Sequence, residues 1–221
     1  AEQFTHKIIN DLSGPFCSHD MSMSKFGREL KKVLPKDLNL YVCKNKDKDS
    51  YAQLTSIFSN NNDVIGQALE ITPDEKGFIT ILHIPTIAHE IRHLGDYLYH
   101  PKTLAREQLI TKKGLDTKKF IDFYDNDIYV REMEYGKRQK PAAMRNIRQH
   151  TNKILRGYSK EDKVNLLQWI RYNLISERNA YKNGAKVGKK LNKKNIPVYE
   201  DALQDPSKEY MFDEKIKLFT D

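Results

Sequence analysis

The feature that most constrains this 221-residue chain is a pair of histidines four residues apart, with a glutamate directly after the first. The segment is His89-Glu90-Ile91-Arg92-His93. Positions i and i+4 of an α-helix lie on the same face, so both imidazoles point the same way if the segment is helical. Two neutral imidazoles so placed can bind one tetrahedral zinc ion and leave a position for water. The glutamate lies to one side, where it can take a proton from that water.

The residues around the motif favour a helix. Pro85-Thr86 is typical of a helix start, because proline suits a first turn and threonine can cap one. Four apolar residues then recur at helical spacing, roughly opposite the two histidines: Ile87, Ile91, Leu94 and Leu98. The alternative is an ordinary solvated helix face, which Arg92 and Asp96 would suit. Asp96 could instead orient His93 by accepting a hydrogen bond from its second ring nitrogen.

The motif resembles that of the zincins, a superfamily of zinc metallopeptidases that carry His-Glu-x-x-His. The resemblance implies that His89 and His93 are zinc ligands and that Glu90 is the catalytic base. Zincins typically place an edge strand above the active-site helix to pair with extended substrate, and residues 77–84 are the expected strand. The resemblance covers residues 64–100 and one later helix.

The third zinc ligand distinguishes subgroups of zincins. The metzincin pattern would need glycine at 96 and histidine at 99, where this chain has Asp96 and Tyr99, so that subgroup does not fit. Gluzincins take a glutamate from a second helix in a Glu-x-x-Ala pattern, which Glu177-Arg-Asn-Ala180 matches. The resemblance is therefore gluzincin-like and implies Glu177 as the third ligand.

The helix that would carry Glu177 is predicted for residues 161–191. Ser159 followed by Glu161 and Asp162 is typical of a helix start. An apolar stripe at helical spacing leads toward Glu177: Val164, Leu167, Ile170 and Leu174. A carboxylate that continues an apolar stripe is unfavourable unless a partner neutralises it, and a zinc ion is such a partner.

Some assignments stay open from the sequence. Glu132 or Glu134 could replace Glu177 as third ligand, and Glu177 could form an ordinary ion pair with Lys182. The oxyanion of a hydrolysis reaction needs a donor besides the metal, and four side chains are candidates: Tyr124, Tyr135, Tyr181 and His150.

Strands are predicted before helices, which indicates an α+β fold. The strands are expected at 37–43, 64–72 and 77–84, the last two joined as a hairpin, while 51–58 could be either state. The expected fold is a small, twisted, mostly antiparallel sheet over the active-site helix, followed by a largely helical C-terminal half. Short helices are expected at 24–34, 103–110 and 141–155.

The mass of 25.9 kDa fits a single domain over residues 1–221. Within it we expect a sheet and active-site helix in 1–100, a helical subdomain in 101–191 and a strap in 192–221. The first residues lack the apolar core of a signal peptide, and no apolar run approaches the length of a transmembrane helix. Cys17 and Cys43 could be bonded to each other or free.

The formal net charge is +8, and much of the excess comes late in the chain: Lys182, Lys186, Lys189, Lys190, Lys193 and Lys194. Such a run is usually a solvated helix end. Read functionally, it would attract nucleic acid, an acidic protein or an anionic membrane. No recognised nucleic-acid motif accompanies it, so a nucleic-acid partner is not expected.

These features predict a zinc-dependent endopeptidase with Zn²⁺ as cofactor and a protein or peptide as substrate. A secreted effector or toxin that acts on a protein of another cell is favoured over a cytoplasmic enzyme. One alternative is a non-catalytic zinc-binding protein, which a fourth ligand such as His83 or His100 would mark. The other is a basic nucleic-acid-binding protein in which the motif is accidental.

Overall fold

The protein combines several helices with two small sheets. The computed structural model describes residues 1–16, 20–46, 51–119, 121, 142, 145–205 and 212–217, and the structural statements below concern these. The helices are α1 (Glu2–Phe16), α2 (Met23–Val33), α3 (Ile84–Tyr99), α4 (Pro101–Lys112), α5 (residues 145–154), α6 (Lys160–Asn192) and α7 (Phe212–Lys217). The strands are β1 (Met21–Ser22), β2 (Leu40–Lys44), β3 (Ala52–Phe58), β4 (Val64–Ile71) and β5 (Phe78–Ile79). The expectation of a mixed fold with a small sheet is confirmed in this coarse form.

The main sheet has three strands in the order β2–β4–β3. β4 pairs antiparallel with β3, from Ala52↔Ile71 onward, but parallel with β2, from Leu40↔Gln67 onward. The second sheet is the short antiparallel pair of β1 and β5. The expected antiparallel character therefore holds for two of the three strand pairs in the described residues. The segment 51–58, ambiguous in the sequence, forms β3 at an edge of the main sheet.

The predicted hairpin between 64–72 and 77–84 is wrong. β5 is only two residues long and pairs with β1, through Met21↔Ile79, rather than with β4. The carboxylate of Asp74 accepts a hydrogen bond from the backbone N–H of Phe78 at 2.7 Å, which tightens the turn after β4. The chain therefore leaves the sheet instead of returning along it.

His83 explains why the rest of 77–84 is not a strand. Residues Ile81–His83 form a 3₁₀ turn that leads directly into α3. The His83 Nδ1 accepts from the backbone N–H of Thr80 at 3.1 Å, and its Nε2 donates to the carbonyl of Thr72 at 3.0 Å. This buried imidazole satisfies local backbone groups and stabilises the turn.

α3 begins one residue before the predicted start and packs against α1, α6 and β3. Its apolar face is largely as predicted, because Ile87, Ile91 and Leu94 are fully buried in the main core. Leu98 is an exception: it is 38% exposed, near the end of the helix. The main core also includes side chains of α1, α2, the sheet and the last turns of α6.

α6 begins where the sequence indicated, with the Ser159 hydroxyl accepting a hydrogen bond from the backbone N–H of Asp162 at 3.1 Å. Ile170 and Leu174 are buried, whereas Val164 is 45% exposed. Leu166, outside the predicted stripe, is fully buried against α4 and α5 in a second core. No helix in the described part of the chain combines the length and hydrophobicity needed to span a bilayer.

Candidate metal centre

The candidate site lies where α3 and α6 pack closely together. A Cβ added at Gly184 of α6 would lie 3.0 Å from the carbonyl oxygen of Pro85 and 3.7 Å from the Cβ of His89. Glycine at this position therefore allows the two backbones to approach. One turn earlier Ala180 is fully buried, and the Asn183 amide donates to the carbonyl of Ala88 at 2.9 Å. These contacts fix the position of α6 relative to α3.

This packing brings the three predicted ligands together. The Nε2 atoms of His89 and His93 are 3.1 Å apart. Glu177 reaches both, with one carboxylate oxygen 3.4 Å from the His89 Nε2 and the other 3.3 Å from the His93 Nε2. The three residues form a group that could hold a metal ion.

The spacing of these atoms is close to that of ligands around one metal ion. Metal–nitrogen and metal–oxygen distances of about 2.0–2.1 Å place tetrahedral ligand atoms about 3.3–3.4 Å from one another. The two Nε2 atoms are 3.1 Å apart, and each lies 3.3–3.4 Å from a different oxygen of Glu177. One ligand atom from each of the three residues lies within 4.8 Å of the other two. Two imidazoles and one carboxylate are a ligand set typical of zinc sites with a position open for water.

A chain of hydrogen bonds orients His93. Its Nδ1 donates to the Ser176 hydroxyl at 2.9 Å, and that hydroxyl donates to Asp96 at 2.9 Å. The other Asp96 oxygen accepts from the Nε of Arg92 at 3.1 Å. With Nδ1 protonated, the Nε2 of a neutral His93 presents a lone pair to the site.

Asp96 thus differs from both sequence interpretations. It is only 5% exposed, so it is not a plain surface residue. It does not accept directly from His93 either, because Ser176 lies between them. No pattern in the sequence indicates Ser176, which lies in α6, 80 residues after Asp96.

Glu90 lies beside the group, with one carboxylate oxygen 3.9 Å from the His89 Nε2. Its other oxygen accepts from the backbone N–H of Leu54, in β3, at 2.8 Å. Burial raises the pKa of Glu90, although the neighbouring imidazoles of His89 and His93 oppose that effect. A raised pKa suits a carboxylate that must accept a proton and release it again near neutral pH.

Burial disfavours charge on Glu177, but the two imidazoles outweigh it and hold its pKa well below the usual range. Burial also disfavours charge on His93, yet Glu177 raises the pKa of that imidazole above its ordinary value. The Glu177 side chain stays 43% exposed. The carboxylate therefore carries negative charge at the mouth of the site, where a cation is stabilised.

The group opens into a cavity of about 300 Å³, between β3 on one side and α6 on the other. Tyr181, one of the oxyanion candidates, lines it and packs edge-to-face against His89 with ring centroids 4.5 Å apart. Tyr97 also lines the cavity, although it was not identified as a site residue from the sequence. Burial raises the pKa of Tyr97, and its phenol forms a hydrogen bond with Glu107 of α4. Tyr97 lies four residues after His93, and this helical spacing could have identified it.

The other sequence candidates fall elsewhere. Glu132, Glu134, Tyr124 and Tyr135 lie outside the described residues, as does Cys17. Three further side chains are described but do not line the cavity: His83, His100 and His150. In the described part of the chain the group that could hold an ion therefore consists of three residues, and neither His83 nor His100 belongs to it.

No protein-family model, curated protein or solved structure matches the chain.

Proposed function

We propose that the protein is a zinc-dependent endopeptidase that hydrolyses peptide bonds in a protein or peptide substrate. The observation that carries the proposal is the position of Glu90 beside three residues that could together hold one metal ion, in an open cavity. When bound, zinc would supply a Lewis acid and a water molecule of lowered pKa. His89, His93 and Glu177 would hold it, in a zincin-like arrangement.

The residues of the chain have distinct roles in this proposal. Glu90 takes a proton from the attacking water and passes it to the leaving amine. The backbone N–H of Leu54 holds that carboxylate in place. Tyr181 and Tyr97 both line the cavity and are the candidate donors to the developing oxyanion. Ser176 and Asp96 position His93 through the hydrogen bonds of its Nδ1.

In this proposal the edge strand that pairs with substrate is β3, whereas the sequence had predicted residues 77–84 for that role. Leu54 lies opposite Leu69 in an antiparallel pair, and its N–H goes to Glu90 rather than to β4. Leu54 therefore belongs to a non-hydrogen-bonded pair, and its N–H and carbonyl face away from β4. Ala52, Gln53 and Leu54 line the cavity, so an extended peptide could pair with this edge through the Leu54 carbonyl, while the Leu54 N–H stays bonded to Glu90.

The first test separates catalysis from metal binding. Glu90→Gln keeps the size of the side chain but removes its basicity, so we expect retained zinc and loss of nearly all turnover. Unfolded casein and a mixed peptide library are suitable substrates, with products read by mass spectrometry. Glu75→Gln, an exposed change of the same kind, should leave turnover unaltered. Full activity of the Glu90→Gln variant would remove the base assignment.

The second test addresses the ligands. His89→Ala and Glu177→Ala should each lower the zinc content of purified protein, measured by elemental mass spectrometry. His100→Ala should leave the metal content unchanged, because His100 is exposed and does not line the cavity. Equal zinc content in the wild type and the Glu177→Ala variant would exclude Glu177 as third ligand. Glu132 and Glu134 would then be tested.

A further inference from the structure

A second groove, rich in lysine, lies between α1 and the last turns of α6. Its volume is about 1050 Å³, and in the described residues it shares no lining residue with the cavity of the metal centre. Six exposed lysines line it: Lys182, Lys186, Lys189, Lys190, Lys193 and Lys194. Asp205 is the one acidic residue among the described lining residues. We call this feature the lysine groove.

The lysines of the groove are arranged so that they repel one another. Lys182, Lys186 and Lys190 follow at intervals of four residues on α6, and Lys193 and Lys194 continue this spacing just past the helix end, four residues after Lys189 and Lys190. Like charges at this helical spacing are destabilising. A negatively charged ligand in the groove would relieve the repulsion, since it would neutralise several lysines together.

Two of the lysines fix the walls of the groove. Lys186 forms an ion pair with Glu2 of α1 at 2.9 Å, and Lys190 donates to the Asn10 side chain at 2.8 Å. Lys189, Lys193 and Lys194 form no ion pair with any other described residue. The walls are thus held by contacts between α1 and α6, while three positive charges stay available to a ligand.

The floor of the groove is apolar. Ile9 of α1 and Val187 and Leu191 of α6 are buried, and Ile196 is half-buried beyond the helix end. Lysine side chains add the apolar surface of their methylene stems. The groove therefore offers positive charge along its rim and hydrocarbon below, which complements a ligand with acidic and apolar side chains.

We propose that the lysine groove binds an acidic, amphipathic segment of a polypeptide. From Lys182 to Asn192, the end of α6, the helix rises roughly 15 Å, at about 1.5 Å per residue. This length suits about four or five residues of an extended peptide, at about 3.3 Å each. Nucleic acid fits less well, because the described lining has no arginine and no Phe, Tyr or Trp, and His6 is its one ring that could stack on a base. A membrane surface would not enter a concave groove.

The test is direct binding and does not depend on hydrolysis. The probe is a fluorescent peptide of about 12 residues that alternates Asp or Glu with Leu, and its anisotropy is measured with the full-length protein. A peptide of equal charge with Ser in place of Leu tests whether the apolar floor contributes to binding. A single-stranded RNA of similar length and vesicles containing phosphatidylserine test the other ligand classes. Mass spectrometry verifies that the peptides stay intact.

The variants distinguish the groove from net charge. Lys189→Glu with Lys193→Glu should weaken binding of the Leu peptide by at least about tenfold, because both charges lie in the groove. The exposed pair Lys36→Glu with Lys76→Glu changes net charge equally and should alter binding less than about twofold, since surface charges outside the groove are screened by salt. We expect the Leu peptide to bind most tightly of the four probes.

Three results would overturn the proposal. The first is equal loss of binding in the two double variants, which would indicate a net-charge effect. The second is tighter binding of RNA or vesicles than of the Leu peptide. The third is no binding of the peptide, which would leave the lysines as a solvated helix end. Activity toward casein does not enter this test, so failure of the proposed peptidase function and failure of the groove are distinguishable.

Discussion

Ser176→Ala gives the sharpest test of how the metal centre is built. The hydroxyl accepts from His93 Nδ1 and donates to Asp96, each at 2.9 Å. Removing it leaves the imidazole free to rotate and gives Asp96 one partner fewer. Ser176 itself contributes no ligand atom, so any loss of metal affinity must act through the orientation of His93.

The expected loss of zinc affinity in Ser176→Ala follows from the two hydrogen bonds of the hydroxyl. A neutral hydrogen bond contributes about 1 kcal/mol and one to a charged group about 1.5–3 kcal/mol. Part of this loss falls equally on the metal-free protein and does not alter affinity. Loss of an outer hydrogen bond to a metal ligand typically weakens binding by about 10- to 100-fold, which equals about 1.4–2.7 kcal/mol. We therefore expect zinc affinity to fall within that range.

The assay is competition for zinc against a fluorescent chelator, with thermal unfolding of the metal-free protein measured in parallel. Ser159→Ala is the matched control, because it removes the N-cap of the same helix and should cost about 1 kcal/mol of stability. Ser159 lies at the start of α6, 17 residues before Ser176 and therefore about 26 Å from it at about 1.5 Å per residue, so zinc affinity should be unchanged. Wild-type affinity in Ser176→Ala, or an equal loss in Ser159→Ala, would refute the positioning role.

Three more outcomes are expected. Gly184→Val should lower both the melting temperature and zinc affinity, because the new side chain meets the Pro85 carbonyl. The expected loss of folding free energy is about 1–3 kcal/mol. Gly27→Ala is the control and should be tolerated, since its Cβ would lie 3.6 Å from Val42. Zinc at about 100 times its dissociation constant should stabilise the wild type by about 2.7 kcal/mol, and a chelator should remove this gain in a melting experiment. Acidification should shrink the zinc-dependent rise in melting temperature, and the loss should begin above the ordinary histidine pKa of about 6.5. The reason is that the raised pKa of His93 favours its protonated form, whereas zinc needs the neutral ring. A rise that grew on acidification would contradict this.

The sequence predicted the helices of the site well, for physical reasons that act locally. α3 has a proline in its first turn and an apolar face, and α6 has a serine cap with acidic residues after it. The ligand pair His89 and His93 follows from helical spacing within one element. Even Glu177, 84 residues after His93, could be proposed because a carboxylate continuing an apolar stripe needs a partner.

The errors concern contacts between segments distant in the chain. Whether 77–84 extended the sheet depended on His83, whose imidazole bonds to Thr72 and Thr80 and turns the chain into α3. The strand-like pattern of residues 77–84 does not indicate that His83 bonds to Thr72. The helix α1 was missed, although Ile8 and Leu12 are buried in the main core. Ser176 was missed because a serine in a helix becomes significant only once Asp96 and His93 lie on either side of it.

The hydrogen bonds of His93 bear on what occupies the space between the three ligand atoms. Its Nδ1 proton goes to Ser176, so a neutral His93 directs an Nε2 lone pair at His89 and at Glu177. Lone pairs 3.1–3.3 Å apart repel unless a positive charge lies among them. A proton on an imidazole satisfies this, in agreement with the raised pKa of His93 and the lowered pKa of Glu177. A metal ion would satisfy it as well, held by one atom from each of the three side chains. Protons and a metal ion would therefore compete for one position, and the surrounding residues would stabilise whichever cation is bound there.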